Sequence, residues 1–145
     1  MNDLVSRRPD DADGYSYFSR VLTLLGRHEE ALQMAKKGVS LPRGPSPRTM
    51  SSPGWPYLML EQYDQAILHY KEFIKLYPDF VYERIGLAAS YSLAGRMEEA
   101  HTEALDILKI NPKISLDDIA RSGYFNYKTA DKDRFIDALR NAGLK

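Results

Sequence analysis

The sequence predicts an all-α protein made of three helix-turn-helix repeats followed by a C-terminal helical cap. Pro78 and Pro112 lie 34 residues apart, and each ends a stretch with helical apolar spacing. A looser copy lies upstream, where Leu24–Ala31 (LLGRHEEA) parallels Leu93–Ala100 (LAGRMEEA). A repeat of this length is typical of stacked helical hairpins, in which each unit covers the apolar face of its neighbour.

The chain has 145 residues, which favours a single domain covering residues 1–145. We expect repeats at about 12–45, 46–78 and 79–112, with the cap at 113–145. The first repeat turns at Gly26, because glycine tolerates the positive φ that ends a first helix. Ala31 then lies 35 residues before Ala66, so the join between the first two repeats holds one extra residue.

The second repeat departs from the pattern because prolines fall where its first helix is expected. Pro47, Pro53 and Pro56 are tolerated only in the first turn of a helix. We therefore expect a shortened helix that begins near Pro53, with Ser52 as its N-cap. Residues 42–47 become a loop.

The third repeat is regular, with helices predicted over 79–94 and 97–110 and a turn at Gly95. In the cap, Ser115 begins a capping box for a short helix that ends near Arg121. A loop is expected over 122–129, and a final amphipathic helix over 131–141, with Gly143 as its stop. Three loop aromatics are expected to anchor the cap on the second helix of repeat three: Tyr124, Phe125 and Tyr127.

The repeated positions resemble those of the tetratricopeptide repeat (TPR) family. In the third repeat the marker positions are Leu87, Ala88, Tyr91, Gly95, Ala100, Ala104 and Pro112. In the second they are Gly54, Tyr57, Ala66, Tyr70 and Pro78, and in the first Phe18, Gly26, Ala31 and Ala35. Three positions depart from the family pattern: Met50, Glu61 and Arg84. The resemblance implies a right-handed α-solenoid. Residues 133–144 also resemble tails of bacterial TPR-containing proteins, including some with an adenylate or guanylate cyclase domain.

The sequence offers no catalytic constellation, so we expect no enzyme, no cofactor and no metal. The histidines, His28, His69 and His101, form no zinc-binding motif, and no cysteine can complete one. Phosphate-binding glycine loops and nucleophile elbows are also absent from the sequence. The acidic pairs that begin the second helices are explained by the helix dipole.

Charge and hydrophobicity exclude other classes of partner. Twenty Lys and Arg balance twenty Asp and Glu, whereas nucleic-acid affinity depends on neutralised phosphates. We therefore expect no nucleic-acid partner. No apolar run approaches the roughly 20 residues of a membrane span, and residues 1–20 lack the apolar core of a signal peptide. We expect no membrane association and a cytoplasmic location.

The TPR resemblance implies that the first helices line a concave face that binds a protein or peptide. In the family's alignment the candidate partner-binding residues are Tyr17, Arg20, Arg48, Trp55, Met59, Tyr82, Ile85 and Ala89. Small residues at 86 and 89 would leave room for a ligand chain. Alternatively, Trp55 and Tyr82 pack between neighbouring repeats.

The expected function is a non-catalytic scaffold or adaptor that holds a peptide or helix. The alternative is an oligomerising or regulatory tail derived from a larger signalling enzyme such as a nucleotide cyclase. Residues 1–11 are too short and polar to cover the first repeat, so self-association through that uncapped repeat is also possible.

Overall fold

The computed structural model describes residues 10–43, 45–125 and 129–145, and these ranges contain α-helices and no strand. The helices are α1 (Ala12–Leu24), α2 (His28–Val39), α3 (Pro47–Ser51), α4 (Gly54–Met59), α5 (Tyr63–Leu76), α6 (Val81–Leu93), α7 (Met97–Ile110), α8 (Leu116–Arg121) and α9 (Thr129–Ala142). A 3₁₀ turn covers Gly123–Phe125. The chain forms two compact units, of which unit 1 ends at Glu61 and unit 2 begins at Gln62. The single domain stays a prediction.

The turns inside the three repeats share one backbone conformation. Gly26 and Gly95 have φ of 74° and 76°, as predicted, and Glu61 takes the same place with φ 60°. The residue after each also repeats its torsions closely (φ/ψ): Arg27 −90°/65°, Gln62 −84°/63° and Arg96 −89°/69°. The 34-residue period is therefore a repeat of structure. Glu61 is strained in this left-handed conformation because it has a Cβ, whereas glycine is not.

In unit 1 the core lies between α1 and α2. Tyr15, Leu22 and Ala31 are buried there. The two helices lie close together at Gly38, where an added Cβ would lie 3.0 Å from the carbonyl oxygen of Ala12. This close approach buries a continuous apolar surface, which is the main favourable contribution to folding.

The first helix of the second repeat differs from the sequence prediction. It begins six residues earlier than expected, at Pro47, with Ser46 as the N-cap accepting from Thr49 N at 3.3 Å. Pro47 is tolerated because the first-turn N–H needs no helical partner. The prediction that Ser52 is the N-cap was wrong.

Ser52 instead marks the break between α3 and α4. Pro53 has no N–H to donate to the Thr49 carbonyl, and the Ser52 hydroxyl donates to that oxygen at 2.7 Å. The backbone N–H of Ser52 donates to the same oxygen at 3.2 Å, so Ser52 supplies both hydrogen bonds to the acceptor that Pro53 cannot reach. The predicted single short helix is therefore two short helices.

In unit 2, α6 packs against both α5 and α7. Ala66 of α5 and Ala100 of α7 are fully buried, as the predicted repeat phase requires. The helices α5 and α7 end directly before Tyr77 and Asn111, whose φ values of −133° and −135° are extended. The prolines that follow explain this, since a residue before proline avoids the helical region.

The cap comprises α8, the 3₁₀ turn and α9. Ser115 forms the predicted capping box with Asp118. The helix α9 packs mainly on α6 and more weakly on α7 and α8, and it ends before Gly143, with φ 110°. The final residue returns to α8, because Leu116 N donates to the carbonyl oxygen of Lys145 at 2.9 Å.

Candidate partner-binding residues

An exposed stripe lies on α1. Tyr17 is 61% exposed, Leu24 is 40% exposed, and Arg20 between them is also exposed. Spacings of three and four place these side chains on one helix face. Tyr15 and Leu22 lie on the opposite, buried face. We call Tyr17, Arg20 and Leu24 the α1 stripe; it brings together an aromatic, a cation and an aliphatic side chain.

Arg48 lies on α3, which is tied to α1 through Asp13. The Asp13 carboxylate accepts from Ser46 Oγ at 2.6 Å and from Thr49 Oγ1 at 2.7 Å. These two hydrogen bonds, of which the one from Ser46 has the larger effect, hold the pKa of Asp13 below its usual 3.8. The positive charge of Arg48 lowers this pKa further. The bonds fix α3 on α1 and hold the exposed Arg48 close enough to act on Asp13.

Four of the eight predicted partner-binding residues are buried. Trp55, Met59, Ile85 and Ala89 are respectively 5%, 7%, 0% and 0% exposed. A side chain without accessible surface offers a partner no contact area. The structure therefore supports the packing alternative for Trp55, and partner contacts at these four positions are not part of our proposal.

Gly86 shows how a side chain of α5 covers the surface of α6. An added Cβ at Gly86 would lie 2.4 Å from Cζ of Tyr70, whose ring is 4% exposed. The space that small residues leave at 86 is filled by a side chain of α5. The expectation that this space accommodates a ligand chain was wrong.

The aromatic residues of the cap lie on α6 rather than on α7, contrary to the sequence prediction. Tyr124 stacks on Tyr82 with ring centroids 4.5 Å apart and an interplanar angle of 10°. Phe125 contacts Phe135 of α9 at 4.8 Å. Tyr82 is thus half-buried under the cap, and Tyr127 lies outside the described residues.

A buried carboxyl that sequence reasoning missed lies beside this aromatic pair. Glu83 is 3% exposed and accepts a hydrogen bond from Tyr124 Oη at 2.5 Å. Burial raises its pKa from 4.5 to about 7, against the opposing effect of the Tyr124 bond. The available signal was the position of Glu83 one helical turn before Leu87, on the apolar face of α6.

An acidic cleft of about 560 Å³ lies at the start of α1, lined by Asp10, Asp11, Ala12, Asp13, Arg43, Pro45 and Ser46. Its carboxylates already have partners. Asp11 caps α1 by accepting from Gly14 N at 3.1 Å, and Asp10 lies 3.7 Å from Arg43. These bonds assign the cleft a structural role at the start of α1.

Residues 10–43, 45–125 and 129–145 contain no group of three or more His, Cys, Asp or Glu side chains placed to hold a metal ion. Within the same ranges, none of the helices combines the length and hydrophobicity needed to cross a membrane. His101 has a structural contact, since its Nε2 donates to the Asn141 carbonyl of α9 at 3.2 Å.

Comparison with known proteins finds no matching family model and no matching curated protein. Solved structures of MamA are similar. One matches 97% of this chain and 81% of its own at 16% identity, with a TM-score of 0.72. MamA residues 41 to the end from Desulfovibrio magneticus RS-1 match 95% of this chain and 77% of their own at 14% identity, with a TM-score of 0.70.

MamA is a TPR protein, so the likeness confirms the fold expected from the sequence: the described residues of this chain have an all-α, TPR-like fold. Identity of this order establishes the fold alone. The resemblance of the tail to cyclase-associated proteins is unconfirmed, and the cyclase-derived alternative is not favoured.

Proposed function

We propose that this protein is a non-catalytic interaction module that holds a peptide or helix of another protein. The TPR-like fold supports this class of function. The α1 stripe is the proposed binding surface, because Tyr17, Arg20 and Leu24 lie exposed on one helix face. Tyrosine and arginine are among the residues that most often dominate binding energy.

The chemistry of this surface defines the partner that fits it. Tyr17 and Leu24 offer apolar contact, while Arg20 on α1 and Arg48 on α3 offer positive charge. Two arginines recognise carboxylates well, because the guanidinium presents several donors in a fixed plane. The matching ligand is an amphipathic segment with apolar anchors and acidic residues, bound along a helix face.

The other features of the proposal follow from composition. The balanced charge gives no basis for nucleic-acid affinity. We place the protein in the cytoplasm, because the absence of cysteine fits a reducing compartment in which disulfides are rare. Self-association through the first repeat is tested by light scattering over a dilution series, where one monomer mass at every concentration contradicts it.

The proposal is tested by affinity capture from a native lysate of the source organism. We expect Tyr17→Ala and Arg20→Ala to reduce capture of a specific protein at least fivefold, since anchor residues typically contribute more than about 1 kcal/mol. Leu105→Ala is the matched control, because Leu105 is also 61% exposed but lies on α7. Circular dichroism confirms that each variant is folded.

The same assay can contradict the proposal. Equal capture by the wild type, both stripe variants and the control removes the α1 stripe as the binding surface. A catalytic turnover of a small molecule by the purified chain would contradict the non-catalytic class itself.

A further inference from the structure

The Glu83 carboxyl occupies an unusual place, because it is buried where the cap meets α6. It is 3% exposed, and Tyr124 of the 3₁₀ turn donates to it. Its position in the first turn of α6 and the Tyr124 bond both favour the ionised form. A buried carboxylate is nevertheless costly unless a counter-charge compensates it.

The cation nearest along α6 is engaged elsewhere. Arg84 Nη1 donates to Glu103 Oε1 of α7 at 2.8 Å, and Arg84 Nε donates to the Pro78 carbonyl at 2.9 Å. The other charged groups on the helices packed against α6 include the exposed Lys71, Glu72 and Lys75 of α5 and the half-buried Asp131, Lys132 and Arg134 of α9. Burial and the Tyr124 hydrogen bond, rather than a charged group, govern the ionisation of Glu83.

We propose that Glu83 and Tyr124 form a protonation-controlled latch that holds the 3₁₀ turn of the cap on α6 when the Glu83 carboxyl is neutral and releases it when the carboxyl is ionised. Release lets water reach the carboxylate, which removes the cost of burying its charge. It also separates Tyr124 from Tyr82, whose rings are stacked in the closed form. The open form therefore exposes the Tyr82 ring and the Glu83 carboxylate in the first turn of α6.

The direction of the pH dependence follows from linkage. The pKa of Glu83 is about 7 in the closed form, against 4.5 for a solvated glutamate. The closed form thus binds the proton more tightly, and its advantage is complete below pH 4.5 and is lost as the pH rises to about 7. The latch operates close to neutral pH.

Amide hydrogen exchange of Phe125 tests the latch, because its N–H donates to the Ser122 carbonyl within the 3₁₀ turn, and we expect this short turn to open once it is released from α6. We expect the opening constant of the wild type, relative to Glu83→Gln, to rise on the order of fiftyfold between pH 5 and pH 8. The ratio to Glu83→Gln cancels the intrinsic pH dependence of exchange. Glu103→Gln is the control, since it removes a second buried carboxyl that bonds Arg84 rather than the cap.

An identical pH dependence in the wild type and Glu83→Gln overturns the proposal, as does loss of the effect in Glu103→Gln alone. Titration of the Glu83 side-chain carboxyl by NMR provides a test that needs no variant: a midpoint near 4.5 also overturns it. In Tyr124→Phe, which retains the ring stacking but loses the donor, we expect that midpoint to move upward, because the donor favours the ionised form.

Discussion

Replacing Gly86 with alanine tests a close contact between α5 and α6. The added Cβ would lie 2.4 Å from Tyr70 Cζ and 2.6 Å from Cε1, whereas carbon atoms in contact lie about 3.5–4.0 Å apart. The Tyr70 ring is 4% exposed and must move by about 1 Å within a packed core. Such overpacking costs about 1–3 kcal/mol, offset by about 1 kcal/mol from the better helix propensity of alanine.

The contact is short enough to place the cost at the upper end of this range, so we expect a net loss of about 2 kcal/mol in the free energy of unfolding. Urea denaturation followed by circular dichroism measures it. In a double-mutant cycle with Tyr70→Leu, the cost of the alanine should fall by at least 1 kcal/mol, since its obstacle is gone. A Gly86→Ala protein as stable as the wild type refutes the reasoning.

Four further substitutions test the turns, the capping box and the Asp13 carboxylate. Glu61→Gly should stabilise the chain by about 0.5–1 kcal/mol, because the relief of the left-handed strain exceeds the added entropy of glycine in the unfolded chain. Gly95→Ala should destabilise it by about 1 kcal/mol, because alanine would be strained at the same positive φ. If either variant is as stable as the wild type in thermal unfolding, the strain assigned to these turns is contradicted. Ser115→Ala should lower the free energy of unfolding by about 1 kcal/mol and speed amide exchange at Asp118, because the Ser115 hydroxyl accepts a hydrogen bond from the Asp118 N–H. Unchanged exchange argues against the capping box. Asp13→Asn should be less stable than the wild type at neutral pH, and this difference in the free energy of unfolding should shrink as the pH falls below 3.8. The reason is that the Asp13 carboxylate, whose pKa is lowered in the fold, stabilises the fold only while it is ionised; a difference that stays constant from pH 6 to pH 2 contradicts this.

Local features of the fold were predictable because they depend on residues close in sequence. Gly26 and Gly95 mark turns that need positive φ, and the capping box at Ser115 lies within four residues. The alanine markers at 31, 66 and 100 are buried as the repeat phase requires. Periodicity and caps determine such elements with little help from tertiary contacts.

Other features depended on residues distant in sequence. The space at Gly86 is filled by Tyr70, 16 residues earlier, and Tyr124 reaches Glu83, 41 residues away. Whether a small residue leaves a groove or accommodates a neighbouring ring depends on the side chain of another helix. The alignment with a family pattern could not distinguish these outcomes.

The candidate site was predictable only in part, because some of its residues are buried by helices that are distant in sequence. Tyr17 and Arg20 lie on the exposed face of α1, and helical periodicity alone separates them from the buried Tyr15. Ile85 is fully buried on α6, which packs against α5, α7 and α9, and the sequence alone did not show which face of α6 these helices cover.

Site-specific photo-cross-linking tests the central claim, that the exposed face of α1 holds another protein. A photoreactive phenylalanine analogue at Tyr17, exposed to light in native lysate, should form one discrete adduct, and the same analogue at the equally exposed Leu105 should not. Competition by excess unlabelled wild-type protein should abolish the adduct. Adducts of equal yield at both positions, or none at Tyr17, would contradict the account.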